Sequence, residues 1–470
     1  MNILPLTKRT TGAGVPGRAR GLSVAPVAAA RHGQPTTLRV GDIIDERPMS
    51  RLQLMTVGLC MLVAVLDGFD TQTIGFLAPA ISRSLGIALT HFGPVFTAGL
   101  IGLMIGAVTL GPLADRLGRK KILVLSTFAF GACAFATAFV HTLPELLVIR
   151  FLTGIGLGGA MPNVVALASE FSPCRHARVC VTLLFCGMPA GAVSGGLVSA
   201  ALLPAYGWHA VFYFGGLLPM AVALAVLVWM PESVKYLIAS RAAEQRVRRT
   251  MLRIAPELAT QQVRFADVER HYTGLPVRHL FTEGRASKTV LLWIPYFMNL
   301  LVLYFVISWL PAVLVLNGHP VSMGIAAITA FSVGGIVGSL AQGRLMNQYG
   351  VAPVLLAEFV LYVALVVVLA LLPLSDILVI AVTLGAGAAV QGAQAGLNSL
   401  AAEIYPTSMR ATGVGWALGV GRIGSVFGPV AGGLMLVHHW DAQHIFLAGV
   451  IPGLIAAAAI VFRGFGREAS

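Results

Sequence analysis

Long apolar runs alternate with short polar segments along most of the chain. An α-helix needs about 20 apolar residues to cross the hydrocarbon core of a bilayer. The pattern predicts an all-α integral membrane protein with twelve transmembrane helices in two six-helix bundles. The predicted spans lie at 52–78, 92–112, 121–140, 145–171, 179–204, 209–230, 289–316, 322–345, 351–373, 376–402, 411–437 and 443–463.

A longer basic segment separates the first six apolar runs from the last six. An amphipathic helix is expected near 241–254 in this segment, which we interpret as a cytoplasmic tether in preference to a binding site. The Arg-rich amino-terminal residues carry no acid before Asp42; we interpret them as a tail, with an organellar transit peptide and an over-extended start as alternatives. The predicted units are an N-terminal tail (1–51), an N-terminal bundle (52–230), a linker (231–288), a C-terminal bundle (289–463) and a C-terminal tail (464–470).

Composition excludes the soluble classes of protein. Hydrophobic residues make up 57% of the chain and charged residues only 11%, whereas soluble domains carry about 25% charged residues. An ordinary soluble enzyme and a disordered protein are therefore both excluded. The five cysteines form no C-x-x-C pair and no zinc-like spacing with histidine, so we predict no disulfide, no metal site and no bound cofactor.

The net charge of +13 is explained by topology. If the amino terminus is cytoplasmic, every Lys and Arg lies on the cytoplasmic side except Arg83 outside and Arg150 and Arg422 within spans. This distribution obeys the positive-inside rule and predicts that both termini are cytoplasmic. A nucleic-acid partner is not needed to account for the basic surplus.

The two halves of the chain repeat each other, as in many transporters. The segment 111–118 aligns with 343–350 at an offset of 232, and 167–173 aligns with 400–406 at an offset of 233. Both pairs of segments occupy corresponding loops. A substrate site is therefore expected in the cleft between the two bundles, near the middle of the membrane.

Charged residues in the loops after spans two, four and ten are predicted to control gating. Asp115 can pair with Arg119 or lie at a helix amino terminus, and glycines allow a tight turn; the alternative is a basic loop that only fixes orientation. Ion pairs are expected between Glu170 and Arg175 or Arg178, and between Glu403 and Arg410; static surface pairs would contribute about 0–1 kcal/mol. The predicted gating residues are Gly111, Asp115, Arg116, Gly118, Arg119, Arg150, Glu170, Arg178, Glu403 and Arg410.

Two acids lie inside the first span, where a charge costs about 2.5–3.5 kcal/mol. Asp67 and Asp70 are three residues apart and share one helix face. Two neighbouring carboxylates in a low dielectric do not both ionise easily. We therefore predict that this pair binds the coupling proton, with a purely structural acid as the alternative.

Arg422 lies near mid-membrane in span eleven and needs an anion, either a span-one aspartate or a substrate carboxylate. Polar side chains and rings at similar depth suit a hydroxylated aromatic ligand, and packing between helices is the alternative. The predicted substrate-binding residues are Arg422, Asn163, Asn299, Tyr304, Trp309, Gln391, Gln394 and Asn398.

Several of these motifs resemble known families. The loop 111–120 resembles the signature of the major facilitator superfamily. The segments 67–70, 150–163, 308–311 and 403–415 resemble its aromatic acid:proton symporter family, whose members are similar to 4-hydroxybenzoate, benzoate and hydroxyphenylpropionate permeases. The resemblance covers roughly residues 40–463. The long basic tail and the linker depart from the family pattern.

The resemblance implies uptake of an aromatic carboxylate such as 4-hydroxybenzoate, driven by a proton gradient across the bacterial inner membrane. It implies a monomer in the lipid bilayer, with proton coupling at Asp67 and Asp70 and basic partners at Arg410 and Arg422. In the expected cycle, protonation of the acids frees Arg422 for the substrate while Trp309 and Tyr304 contact the ring.

Two other functions compete with uptake. A proton-coupled efflux antiporter is suggested by the glycine and proline pattern of 424–433, although that signature belongs on span five, where this chain has only an imperfect copy. A membrane enzyme or a sensor is disfavoured because the sequence shows no nucleophile–base pair, metal cluster or nucleotide loop.

Overall fold

A computed structural model describes residues 36–240, 244–257, 263–266, 280–282, 285–372, 375–405 and 410–465. Residues 1–35 of the predicted N-terminal tail, 466–470 of the C-terminal tail and part of the linker lie outside these residues. The elements are β1 (Thr36–Arg39), α1 (Val40–Asp45), α2 (Arg51–Leu85), α3 (Phe92–Leu117), α4 (Arg119–Thr137), α5 (Leu143–Phe171), α6 (Cys174–Trp229), α7 (Val234–Ala239), α8 (Glu244–Ile254), β2 (Val263–Ala266), α9 (Ala286–Leu316), α10 (Val321–Tyr349), α11 (Val351–Leu371), α12 (Asp376–Ile404), α13 (Arg410–Val437), α14 (Ala442–Ala448) and α15 (Val450–Phe465), with a 3₁₀ turn at Leu89–His91.

The helices have the length and apolar character of membrane spans. Eleven helical stretches of the described chain are long and apolar enough to cross a bilayer, and α14 with α15 forms the last of them. The longest, α6, is interrupted at Gly207, whose φ of 74° and ψ of 178° are not helical. Its two halves correspond in position to the fifth and sixth predicted spans, and the count of twelve spans stays a prediction. The predicted all-α fold class is confirmed.

Two glycines at matching positions support the internal repeat. Gly118 lies between α3 and α4 with a φ of 110°, and Gly350 lies between α10 and α11 with a φ of 84°. Both positions need positive φ, which glycine adopts without the steric penalty of a Cβ atom. The two halves therefore turn between their second and third spans in the same way.

The hydrophobic cores differ between the two ends of the molecule. We call the end that carries the linker the linker side, and the opposite end the distal side. On the distal side one buried core contains residues of both bundles, among them Phe76, Phe92, Trp309 and Phe331. On the linker side each bundle has its own core. The core of the N-terminal bundle surrounds Phe130. The core of the C-terminal bundle contains Leu292, Tyr296, Leu355, Phe359 and Tyr405. The structure is thus closed between the bundles distally and divided on the linker side.

Close contacts hold the bundles together on the distal side. A Cβ atom added at Gly75 of α2 would lie 2.6 Å from the carbonyl oxygen of Ile307 on α9. The ring of Phe96 on α3 packs edge-on against Trp309 on α9, with centroids 5.3 Å apart. Small residues and aromatic edges allow this approach.

The linker docks on the N-terminal bundle. The predicted amphipathic helix is confirmed as α8, whose Val247, Met251 and Ile254 are buried in the same core as the linker-side half of the N-terminal bundle. Strand β1 pairs in parallel with β2, so the segment before α2 and the linker are joined through their backbones.

The glycine pattern of α13 lies against α9. Cβ atoms added at Gly424 and Gly428 would collide with the carbonyl oxygens of Phe297 and Leu301. In this structure the pattern that suggested an antiporter therefore allows two helices of one bundle to pack closely.

Candidate proton and substrate site

The first-span aspartates are both buried, but they have different partners. Asp70 forms an ion pair with Arg150 of α5, with 3.3 Å between Oδ2 and Nη1. Arg150 also donates to the Thr137 hydroxyl at 2.8 Å and lies over the ring of Phe212, 5.3 Å from its centroid. Asp70 therefore has a buried basic partner within its own bundle.

Asp67 has much weaker support. The hydroxyl of Thr71, one turn later on α2, donates to its Oδ1 at 3.2 Å. Its Oδ2 is buried and has no hydrogen-bond partner among the described residues. Burial of an ionised carboxylate with an unsatisfied oxygen costs free energy. Of the two first-span carboxyl groups, that of Asp67 is therefore better placed to take up a proton.

Arg422 lies on the other bundle and is half-buried on α13. Its Nη1 donates to the hydroxyl of Tyr304 on α9 at 3.1 Å. Its charge attracts Asp67 electrostatically, although no ion pair between Arg422 and either first-span aspartate is found among the described residues. Asp67, a predicted anion partner of Arg422, is thus its neighbour across the bundle interface but forms no ion pair with it among the described residues.

An apolar cavity lies between the bundles, lined by residues of α2, α3, α5 and α9. Its few polar side chains are Asp70, Thr71, Arg150, Thr153, Tyr304 and Ser308. Apolar walls with a small number of placed polar groups suit a compact ring that carries one charged group.

Of the eight predicted substrate-binding residues, Tyr304 lines this cavity and the other seven, Trp309 and Asn163 among them, do not. Trp309 is buried, donates from Nε1 to the carbonyl oxygen of Pro429 at 2.9 Å, and belongs to the distal closure. Asn163 is also buried and donates to the carbonyl oxygen of Gly159 on its own helix at 2.8 Å. Both side chains have hydrogen-bond partners within the protein in this structure, and their contact with a substrate stays a prediction.

The predicted polar stripe on α12 bonds to neighbouring helices. Asn299 of α9 donates to the side-chain oxygen of Gln394 at 2.9 Å, and the hydroxyl of Tyr296 donates to Asn398 at 2.7 Å. Gln391 donates to a backbone carbonyl of α10 at 3.4 Å. The three α12 side chains remain half-buried, and their role in substrate binding stays a prediction.

The linker-side charges form a network around Glu170. Arg119 lies 3.2 Å from Asp115, as predicted, and 3.7 Å from Glu170. Glu170 also accepts the hydroxyl of Ser233 at 2.7 Å and the backbone N–H of Lys235 at 2.8 Å. The sequence did not predict these partners, because it does not show that the residues after span six fold back onto Glu170; the expected pair of Glu170 with Arg178 stays a prediction.

The other predicted gate partners are placed as follows. Arg175 donates to the carbonyl oxygen of Arg47 at 2.7 Å and not to Glu170. The side chains of Arg178 and Arg410 lie outside the described residues, so the proposed pair of Arg410 with the exposed Glu403 stays a prediction. Arg150 is buried in the distal half of its bundle, away from the linker-side network.

Sequence reasoning missed Glu232. Its carboxylate accepts the backbone N–H of Lys120 at 2.9 Å, at the start of α4, and a Cβ atom at Gly118 would lie 2.5 Å from it. An acid directly after the sixth span was the available signal. Arg116 is exposed, and a Cβ atom at Gly111 would meet nothing within 4 Å, so neither contributes close packing here.

Comparison with known proteins gives consistent results over nearly the whole chain. The profile described as Major Facilitator Superfamily matches residues 60–390 and 318–469. A 4-hydroxybenzoate transporter, PcaK, of Pseudomonas putida is 38% identical over 92% of this chain and 97% of its own length. A gallate transporter of the same organism is 38% identical over 91% of this chain and 95% of its own length.

More distant similarities agree on the fold. A 3-(3-hydroxy-phenyl)propionate transporter of Escherichia coli (strain K12) is 35% identical over 88% of this chain and 94% of its own length. The crystal structure of a bacterial homologue of the human lysosomal transporter Spinster, inward-facing and occupied, aligns with a TM-score of 0.66. That alignment has 16% identity and covers 87% of this chain and 96% of the other.

Proposed function

The chain belongs to the Major Facilitator Superfamily, a superfamily of transporters, and from this premise we propose that it takes up an aromatic carboxylic acid such as 4-hydroxybenzoate by proton-coupled symport. The relatives that support this proposal are named for 4-hydroxybenzoate, gallate and 3-(3-hydroxy-phenyl)propionate. All three compounds carry one carboxylate and a hydroxylated ring. The charge and shape that they share suit an apolar cavity whose wall residue Tyr304 accepts a hydrogen bond from Arg422.

One observation carries the mechanism: Asp67 and Arg422 belong to different bundles, and neither has an ion-pair partner of its own among the described residues. Ionised Asp67 attracts Arg422 across the interface. A proton on the unpartnered Oδ2 removes this attraction. Arg422, held by Tyr304, is then available to a substrate carboxylate.

The transport cycle follows from alternating access. In the distally open state, which we assign to the outside of a bacterial inner membrane, Asp67 takes up a proton and Arg422 binds the acid. The bundles then rock to the state seen in this structure, and substrate and proton leave towards the linker side, which we assign to the cytoplasm. Asp70 keeps its partner Arg150 throughout and maintains the bundle.

The test is uptake into proteoliposomes with an inside-alkaline pH gradient, using labelled benzoate, 4-hydroxybenzoate, gallate and a sugar control. We expect wild-type protein to accumulate at least one aromatic acid and D67N to reach a markedly lower accumulation ratio, because the amide cannot release a proton. Exchange of labelled for unlabelled substrate should persist in D67N. E46Q, which neutralises an exposed acid, is the matched control and should accumulate normally.

Two outcomes would contradict the proposal. Normal accumulation by D67N would remove Asp67 from coupling. Extrusion of drugs without accumulation of any aromatic acid would instead support the efflux alternative.

A further inference from the structure

The internal repeat places two equivalent three-helix junctions in the molecule, one in each bundle. In the N-terminal bundle, Gly159 of α5 faces Ser126 of α4 and Leu110 of α3. A Cβ atom at Gly159 would collide with the Ser126 hydroxyl and lie 2.5 Å from Cδ1 of Leu110. This junction is filled by a hydroxyl and an apolar side chain.

The equivalent C-terminal junction contains an acid and an amide. Offsets of 233 and 232 relate Gly392 of α12, Glu358 of α11 and Gln342 of α10 to the N-terminal set. A Cβ atom at Gly392 would lie 2.6 Å from Oε1 of Glu358 and 3.5 Å from Oε1 of Gln342. The two oxygens therefore face the same small volume, which stays open because residue 392 has no side chain. We call this set the Gly392 junction.

Glu358 lies inside a membrane span. It is seven residues from the start of α11, or about 10 Å along the helix axis. Nε2 of Gln342 donates to its Oε2 at 3.2 Å, and no ion pair between Glu358 and a basic group is found among the described residues. The other charged or titratable residues on the helices packed against α11, and on α11 itself, are Arg344, Tyr349, Tyr362, Asp376, Glu403, His444 and Arg463, the last with its side chain outside the described residues.

The amide of Gln342 supplies a second, independent observation. Gln342 is 3% exposed, and its Oε1 is buried with no hydrogen-bond partner among the described residues. A buried carbonyl oxygen without a donor is costly. An ionised Glu358 has no proton to offer it, whereas a protonated Glu358 can donate from Oε1 and close a cyclic acid–amide pair with two hydrogen bonds.

We propose that Glu358 and Gln342 form a second proton-binding site, separate from Asp67, which is occupied in this linker-side-open state and releases its proton during the transport cycle. The inference rests on the proposed function for its role in coupling. With one proton on Asp67 and one on Glu358, transport of a monoanion moves one net positive charge inward.

The Gly392 junction adjoins a predicted substrate residue. Ser339 lies one turn before Gln342 on the same face of α10 and donates to the backbone carbonyl of Gln391 at 3.3 Å. Gln391 precedes Gly392 on α12. Movement of α12 on substrate release therefore changes the surroundings of the Glu358 carboxyl directly.

The first test separates the two components of the proton-motive force in proteoliposomes. A membrane potential alone should drive accumulation by wild-type protein and not by E358Q. A gradient of one pH unit should support a limiting ratio of about 100-fold in wild-type protein and about tenfold in E358Q, because each coupled proton contributes a factor of about ten. S126A, the equivalent position of the other bundle, should behave like wild-type protein.

Electroneutral transport by the wild-type protein would overturn the proposal even if E358Q failed to fold, and so would wild-type stoichiometry in a folded E358Q. Absence of aromatic acid uptake by every protein would instead count against the proposed function.

A second measurement needs no substrate. The infrared spectrum of purified wild-type protein should contain the carbonyl stretch of a protonated carboxylic acid that disappears in E358Q and persists in D67N. The Q342L variant should shift this band, because it removes the hydrogen-bond partner. A spectrum unchanged by E358Q would show that Glu358 is ionised and would refute the site independently of transport.

Discussion

The two bundles keep their buried charges in opposite ways. In the N-terminal bundle, Asp70 and Arg150 neutralise each other at 3.3 Å. In the C-terminal bundle, the half-buried Arg422 side chain donates to the neutral hydroxyl of Tyr304 and forms no ion pair among the described residues. At the Gly392 junction the acid Glu358 also has a neutral partner, the amide of Gln342. The equivalent position of the N-terminal bundle is the uncharged Ser126.

This difference distinguishes charges that stabilise the structure from charges that are free to change partners during transport. A buried pair with a fixed partner responds little to substrate or to pH. A charge whose partner lies across a moving interface changes its environment each time the bundles rock. We assign Asp67 to the second kind although it is only three residues from Asp70, so the roles proposed for these neighbouring acids on one helix face differ.

The largest effect is expected when the buried ion pair between Asp70 and Arg150 is broken. Removal of one partner from a buried ion pair costs about 3–5 kcal/mol, and D70N leaves Arg150 charged and buried. We expect D70N to lower the free energy of unfolding in mixed micelles by that amount. R150M should cost less, because an aspartate can take up a proton whereas a guanidinium cannot lose one.

The matched control is D67N, the same substitution one turn earlier on the same helix. Because Asp67 has an unsatisfied oxygen and no ion pair among the described residues, D67N should leave stability near the wild-type value while it lowers the accumulation ratio. Equal destabilisation by D67N and D70N would show that the two acids act as one structural unit and would remove the distinction drawn above.

A smaller effect is expected at Tyr304. Y304F removes the hydroxyl that accepts from Arg422 and lets the guanidinium relax towards Asp67. Hydrogen bonds to charged groups contribute about 1.5–3 kcal/mol, so we expect KM for the aromatic acid to rise by at least about tenfold with little change in the maximal rate. An unchanged KM would mean that Tyr304 does not position Arg422 for the substrate.

Much of the architecture follows from the sequence, because length and hydropathy constrain a membrane helix strongly. The predicted span 351–373 corresponds to α11 at Val351–Leu371, and the break between spans five and six falls at Gly207. The repeat was visible because its loops need the same glycine at 118 and 350. Local rules of this kind do not depend on which helices become neighbours.

The partners of the charges could not be predicted in the same way. Glu170 was expected to pair within its own loop, yet it contacts Ser233 and Arg119 from distant parts of the chain. Glu358 was missed although a single acid in an apolar run was a sufficient signal. The role proposed for Glu358 can be inferred only from the structure, in which α10 and α12 bring Gln342 and Gly392 beside it.

The smallest effect is expected from removal of the exposed ion pair between Arg47 and Glu257. The two side chains lie 2.5 Å apart where the linker contacts the N-terminal bundle. A backbone N–H and then Arg47 lower the pKa of Glu257, so its contribution is complete above the unfolded pKa of about 4.3 and is lost as the pH falls through the lower folded value. Exposed pairs contribute about 0–1 kcal/mol. E257Q should therefore lower the free energy of unfolding by no more than that at neutral pH and by less near pH 3, with unchanged transport. Slower transport in E257Q at full stability would show that the linker takes part in gating and is more than a tether.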